Sequence, residues 1–432
     1  MEQLAFPRYD AYKPSGADWL GKIPADWPIQ RLGAVFEERK EKVSDKDFPP
    51  LSVTKNGILP QLDSAAKSDD GDNRKGVRTG DFVINSRSDR KGSSGIAEQD
   101  GSVSLINIVL KPKGIDPRYC EHLLKSNGFV EEFYRNGHGI VADLWTTKYW
   151  NMKSILIPVP DMATQQRIAN FLDQKTAEID EAIAKKQRLI ELLKEQKTIL
   201  INQAVTKGLN PDAPMRDSGV EWIGEVPEHW EIKRLKHLID FLPGFAFKSE
   251  QYSEDDTDVP LLRGININPG QLKWGEVVYW PKEKLRRYEQ YQLCEGDYVI
   301  GMDRPWVSDG IRVARVGLVD LPCLLLQRVG CIRARQGLIS DYMGLLLRSD
   351  AFLAYFEPML SGISVPHISP EQIGNFSSAF PPESEQEEIS RFAQRVEAEF
   401  DELVSKEMSV VRGIQEYRSV IIAEAVTGKI KL

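Results

Sequence analysis

Apolar residues recur at helical spacing over two long stretches of the chain. From Thr164 to Lys207 there is no proline or glycine. Leu172, Ile179, Ile183, Ile190, Leu193, Leu200 and Ala204 step through it by threes, fours and sevens, which is the pattern of a coiled-coil seam. Gly208 and Pro211 follow as stop signals. Phe400, Val404, Val411, Ile414, Ile421 and Ala425 mark a second seam. Ser384 and Glu387, behind Pro381-Pro382, read as a capping box at its start. Gly413 inside it costs about 1 kcal/mol. A helix of about 43 residues is about 65 Å long, more than one small domain can cover. Two such helices can bury their seams against each other, antiparallel because the globular stretch between them returns the chain. Lys186 and Glu407, and Lys197 and Arg418, interrupt the seams at matched places. They read either as flanking charges or as residues that fix register.

Outside the helices the apolar runs are short. Gly80-Asp81-Phe82-Val83-Ile84-Asn85 and Gly296-Asp297-Tyr298-Val299-Ile300 each read as turn then strand, and Ser104 to Leu110 as a β-rich run. Residues 117–135 and 341–360 read as helical, with Pro358 breaking the second near its end. The chain is also an internal repeat. SGADWLGKIPADWPIQRL from Ser15 matches SGVEWIGEVPEHWEIKRL from Ser218 at an offset of 203, pairing Trp19 with Trp222 and Trp27 with Trp230. The helical stretches match at an offset of 221, so the second copy is longer between its landmarks. Between them Tyr119 and Ser126 correspond to Tyr342 and Ser349, and Gly139-Ile140 to Gly362-Ile363. The fold class is therefore α+β: two globular mixed domains separated by an antiparallel pair of long coiled-coil helices, with a pseudo-twofold internal repeat.

Composition narrows the function. Hydrophobic residues at 41% and charged residues at 28% describe a globular protein with a core. No run of eighteen apolar residues occurs, and Met1-Glu2-Gln3-Leu4 lacks a basic, apolar leader, so a cytoplasmic protein is expected. The four cysteines form no CxxC pair and, with five histidines, show no zinc spacing. They read as buried free thiols. The net charge of −8 counts against nucleic acid, but acids crowd between Glu383 and Glu402 while basic residues gather elsewhere, so a local basic face is allowed.

The chain carries no methyltransferase Asn/Asp-Pro-Pro-Tyr/Phe motif, no phosphate-binding loop and no nucleophile elbow. Non-catalytic binding is the reading that remains. The candidate residues are basic, amide and aromatic side chains expected in loops. In the first domain they are Lys55, Asn56, Arg74, Lys75, Arg87, Arg90, Lys91 and His138. In the second they are Lys248, Arg263, Asn266, Arg304, Trp306 and His367. Arg and Lys neutralise phosphates or bond guanine edges, and Asn bonds adenine. A bivalent protein-binding coiled-coil adaptor would share the architecture without needing these basic loops.

The joining segments carry a family resemblance. Residues 150–160, WNMKSILIPVP, lead into Gln165-Gln166-Arg167-Ile168, and residues 373–382, IGNFSSAFPP, into Glu385-Gln386-Glu387-Glu388-Ile389. An apolar strand, then proline, then Glu-Gln and Ile opening a long helix resembles the specificity (S) subunit of Type I restriction-modification enzymes. The first copy departs from it, with Thr164-Gln165 in place of Glu-Gln. The resemblance implies target recognition domains at 1–160 and 211–382, and long spacer helices at 161–210 and 383–432. Each recognition domain would read half of an asymmetric bipartite double-stranded DNA target, with the helices setting the unread spacer. Ile179, Ile183, Ile190, Leu193, Phe400, Val404, Val411 and Ile414 would lie on the helices that dock two methyltransferase (M) subunits and, where restriction is present, two restriction (R) subunits. S-adenosylmethionine, ATP and Mg would belong to those partners, and this chain would bind no cofactor, hold no metal and catalyse nothing.

Overall fold

Both seams fold as long helices, Met162–Lys207 and Glu383–Val426, in a computed structural model that describes residues 6–61, 71–139, 145–307, 310–360 and 366–432. The Ile140 and Gly362-Ile363 landmarks fall outside the described residues. Thr164 N and Oγ1 both donate to the Asp161 carboxylate, which caps the first helix. The second helix starts at Glu383, two residues earlier than the expected box allows. Ser384 therefore lies in its first turn, and Gln386 N donates to Pro382 O. Each helix ends at a glycine in the left-handed region, Gly208 at φ 77° and Gly428 at φ 68°, where other residues are strained. Among the described residues no helix is long and apolar enough to cross a membrane.

The chain divides into two compact units, residues 1–188 with 407–432, and residues 189–406. The helices set apart at 161 and 383 in the sequence are thus shared between them. In the first unit the start of one helix runs against the end of the other, with Asp180 3.2 Å from Arg418 and Lys186 2.8 Å from Glu407. In the second unit Lys197 lies 2.7 Å from Asp401. Asp180 and Asp401 are repeat equivalents, as are Arg418 and Lys197, so the polar interruptions become matched cross-helix ion pairs. Exposed pairs contribute at most about 1 kcal/mol each, so they add little stability. The apolar seam is buried at its ends, at Ile179, Phe400 and Ile421, and half-buried at Ile190, Leu193, Val404 and Val411.

Each unit is built on a four-stranded antiparallel sheet of one topology. In the first unit the order is Ser94–Ile96, Phe82–Asn85, Asn107–Pro112, Phe36–Glu38. The second has Val313–Arg315, Tyr298–Gly301, Val329–Ala334, Ile239–Pro243 in the equivalent places. The run Ser104 to Leu110 is only partly strand, because Leu105 and Ile106 sit exposed in the turn before it. The expected helix over 117–135 is two, Pro117–Lys125 and Asn127–Arg135, separated at Ser126. Its counterpart is also two, Ser340–Leu346 and Asp350–Leu360, with Pro358 in the last turn. Three of the four thiols are buried and Cys294 is exposed, which corrects the expectation for that one. Burial pushes the Cys323 thiol up to about 12.

The repeated landmarks are the residues that tie helix to sheet. Trp19 Nε1 donates to Leu156 O, and Trp222 Nε1 to Ser377 O. The buried Gln165 accepts from Asp116 N and donates to Pro160 O. Gln386 accepts from Ile339 N and donates to Pro381 O. Tyr119 Oη lies 3.4 Å from Val426 O, and Tyr342 Oη 3.1 Å from Val205 O. The tip of each helix rests on the repeated tryptophan: a Cβ at Gly208 would meet Trp230 at 3.3 Å, and one at Gly428 would meet Trp27 at 3.2 Å and overlap Pro24. Gly428→Ala combines a left-handed backbone with that overlap. It is expected to cost about 2 kcal/mol and to lower hydrogen-exchange protection in the first unit. Unchanged protection there would contradict this packing.

Candidate nucleic-acid interface

The second strand of each central sheet starts the same way and delivers the same corner. Gly80 and Gly296 turn with positive φ. The next residue, Asp81 or Asp297, receives a backbone N–H from three residues before it, Arg78 or Cys294. It also receives a two-pronged arginine, Arg39 or Arg333. The strand then leaves the sheet and meets the segment that precedes the joining strand. In the first unit Arg87 bridges Thr146, which also bridges His138. In the second Asp303 bridges His367. Arg87 and Asp303 are repeat equivalents, as are Thr146 and His367, so one frame carries opposite charges at one corner.

The corner in the second unit is a compact polar cluster. His367 Nδ1 lies 2.6 Å from one oxygen of Asp303, and Arg328 Nη1 2.8 Å from the other. Burial would raise the Asp303 pKa, but the hydrogen bonds from His367 and Arg328 outweigh it and hold the carboxyl below its usual range. Arg304 and Arg328 both adopt positive φ, 45° and 65°, a conformation non-glycine residues rarely take and one that concentrates at functional sites. Arg304 N donates to Pro366 O, and Trp306 stands 6.4 Å from Phe356. In the first unit Arg87 and Arg90 are exposed, and His138 sits edge-on to Trp150 at 5.5 Å.

The other candidates divide into surface and structural residues. Lys55 and Asn56 form the exposed turn of the hairpin Leu51–Thr54 and Gly57–Pro60. With Lys91, which lies 2.6 Å from Glu131, they line a cleft of about 770 Å³ in the first unit. Lys248 is exposed. Arg74 is not in a loop: it lies in strand Arg74–Val77, buried, and donates to Ser102 Oγ and O. Burial lowers its pKa. Lys75 follows it in the same strand and donates to Asn107 O. Asn266 is also buried, bonding Arg263 N, Lys273 O and Glu276 O. Arg263 donates to Glu276 O. These residues satisfy backbone groups, which a buried site requires. The sequence reading overlooked a basic, exposed segment, Lys282–Tyr291, which carries Lys282, Lys284, Arg286 and Arg287. It falls in the longer part of the second copy, where no landmark pointed to it. Among the described residues no group of histidines, cysteines or carboxylates could hold a metal.

Comparison with known proteins finds one recurring likeness. The model of the Type I restriction modification DNA specificity domain matches residues 227–411. The specificity subunit of the Type I restriction enzyme MjaVIII, from Methanocaldococcus jannaschii, is 26% identical over 429 residues, spanning 95% of this chain and 94% of that protein. The chain is thus similar to Type I restriction-modification specificity subunits over nearly its whole length. The specificity subunit of EcoAI, from Escherichia coli, is 35% identical over 202 residues, 46% of this chain but only 33% of that protein. Two solved structures share the fold of this chain. A chain from a type I restriction-modification assembly aligns with TM-score 0.67 at 17% identity, covering 94% of this chain and 98% of that one. The HsdS subunit of Thermoanaerobacter tengcongensis aligns with TM-score 0.50 at 19% identity over the same shares.

Proposed function

We propose that this chain reads a bipartite, asymmetric DNA target, one half with each globular domain, in the cytoplasm, while methyltransferase and restriction subunits bring S-adenosylmethionine, ATP and Mg. The observation that carries this reading is the corner at the end of the second sheet strand. The frame around it repeats residue for residue, at Trp19 and Trp222, Gln165 and Gln386, Tyr119 and Tyr342. The side chains it presents do not repeat: Arg87 and His138 in one copy, Asp303, Arg304 and His367 in the other. A fixed frame with exchanged charges suits two different half-sites, because base edges are told apart by donors and acceptors. Of the seam residues, Ile179 lies in the core of the first unit, with Ile183 and Ile414 packed against it. Docking of the methyltransferase is assigned to exposed apolar residues beside the seam, such as Leu189 and Leu192.

In a host expressing this chain with a methyltransferase subunit, single-molecule methylome sequencing is expected to show adenine methylation at a split motif with a fixed spacer. Methylation of a short continuous palindrome would overturn the reading.

A further inference from the structure

We propose that a four-lysine cleft in the first unit grips the DNA backbone of its half-site and that Trp150 supplies the apolar contact at the cleft mouth. The proposal rests on the DNA reading above and adds a site that lies in the joining segment and its neighbours. The cleft encloses about 680 Å³, and its lining includes Lys40, Lys75, Lys148 and Lys153. Glu38 is the one carboxylate among the lining residues, 3.6 Å from Lys40 and 3.5 Å from Lys75. Lys75 is held by Glu38 and Asn107 O, so Lys40, Lys148 and Lys153 leave a net positive charge on the lining, which favours an anion.

The apolar part of the lining selects the kind of anion. Trp150 is 57% exposed, Leu105 40% and Ile106 37%. A free phosphate or an acidic side chain gains nothing from such a surface. A nucleic-acid strand does, because deoxyribose and the thymine methyl group lie beside each phosphate. The tryptophan is held in place: His138 meets it edge-on with an interplanar angle of 78°. His138 and Thr146 bond each other through both backbone N–H groups, and Thr146 bridges Arg87. The cleft therefore adjoins the corner that presents Arg87. The second copy lacks it. At the positions of Lys148, Trp150 and Lys153 it has Ser369, Glu371 and Gly374, so the grip is private to the first domain.

The test is the salt dependence of full-length chain binding to a mixed-sequence duplex of about 40 base pairs. Each lost phosphate contact lowers the slope of log K against log salt by about 0.9. Lys148→Ala with Lys153→Ala is expected to reduce the slope by about 1.8. Lys194→Ala with Lys406→Ala, an equal charge change on exposed helix positions, should leave it unchanged. Trp150→Ala is expected to weaken binding roughly fivefold with the slope intact, and Trp150→Phe to recover most of that. A wild-type slope in the Lys148 and Lys153 variant, with the wild-type chain binding, overturns the cleft and leaves the DNA reading standing. Failure of the wild-type chain to bind duplex even at low salt overturns both.

Discussion

Gly344→Ala is expected to destabilise the second unit by about 3 kcal/mol or more, a loss large enough to empty the native state of a marginal domain. Gly344 lies in helix Ser340–Leu346, directly beneath the Tyr298 ring. A Cβ there would overlap the Cζ, Cε1 and Oη atoms of that ring. Neither partner can retreat cheaply. Tyr298 pairs with Arg315 on one side and Ile332 on the other, and the helix is buried from Tyr342 to Leu346. Urea unfolding of the full chain, followed by a probe in the second unit, should show the midpoint fall. Tyr298→Leu in the same chain should return part of it, whereas Tyr298→Phe should not, since the overlapping ring carbons remain. A midpoint unchanged by Gly344→Ala would contradict this packing. The first copy has Phe82 and Glu121 at these positions, so the constraint belongs to the second alone.

Asp297→Asn is expected to cost about 2–3 kcal/mol at neutral pH. Asp297 is 6% exposed and holds Arg333 through two bonds of 2.7 and 2.6 Å as well as the Cys294 N–H. Burial alone would raise its pKa, but the arginine and the backbone N–H outweigh that and bring it down. Because Arg333 is 41% exposed, its stranded charge is partly hydrated in the variant, which keeps the loss at the low end for a buried pair. The pH dependence follows from the sign of the shift. A carboxylate with a depressed folded pKa stabilises the protein above its unfolded value of about 4, and the contribution disappears as pH falls through the lower folded value. The stability difference between wild type and Asp297→Asn should therefore be full at pH 6 and shrink as the pH falls below about 4. A difference that grows with acidification would place the proton elsewhere.

The long helices, the repeat and the class of fold were legible in the sequence because their signals are local. A seam of threes and fours needs no knowledge of the partner, and Trp19 with Trp222 or Gln165 with Gln386 needs only alignment. The surface of the globular domains was less legible. Their strands run two to six residues, too short for alternation to show which side chains face inward. Arg74 and Asn266 look like any polar loop residues, yet they are consumed by Ser102 O and by the 273–276 backbone. Trp150 and Lys153 belong to the joining segment, and Lys148 lies just before it. Their grouping with Lys40 and Lys75 comes from chain crossings more than seventy residues apart, which no local pattern records.

The division of the chain has a consequence for the order of synthesis. The second unit is continuous, 189–406, but the first joins 1–188 to 407–432. As the chain leaves the ribosome, the second unit has everything it needs before the first does. The domain begun earlier must wait, with the core surface beneath Trp27 and Tyr119 uncovered, until later-made turns bring Ala425, Val426 and Gly428 to it. A chaperone or an early-arriving partner subunit would find its longer window on the first unit, and a chain stopped before residue 407 would lose packing in the unit that was translated earlier.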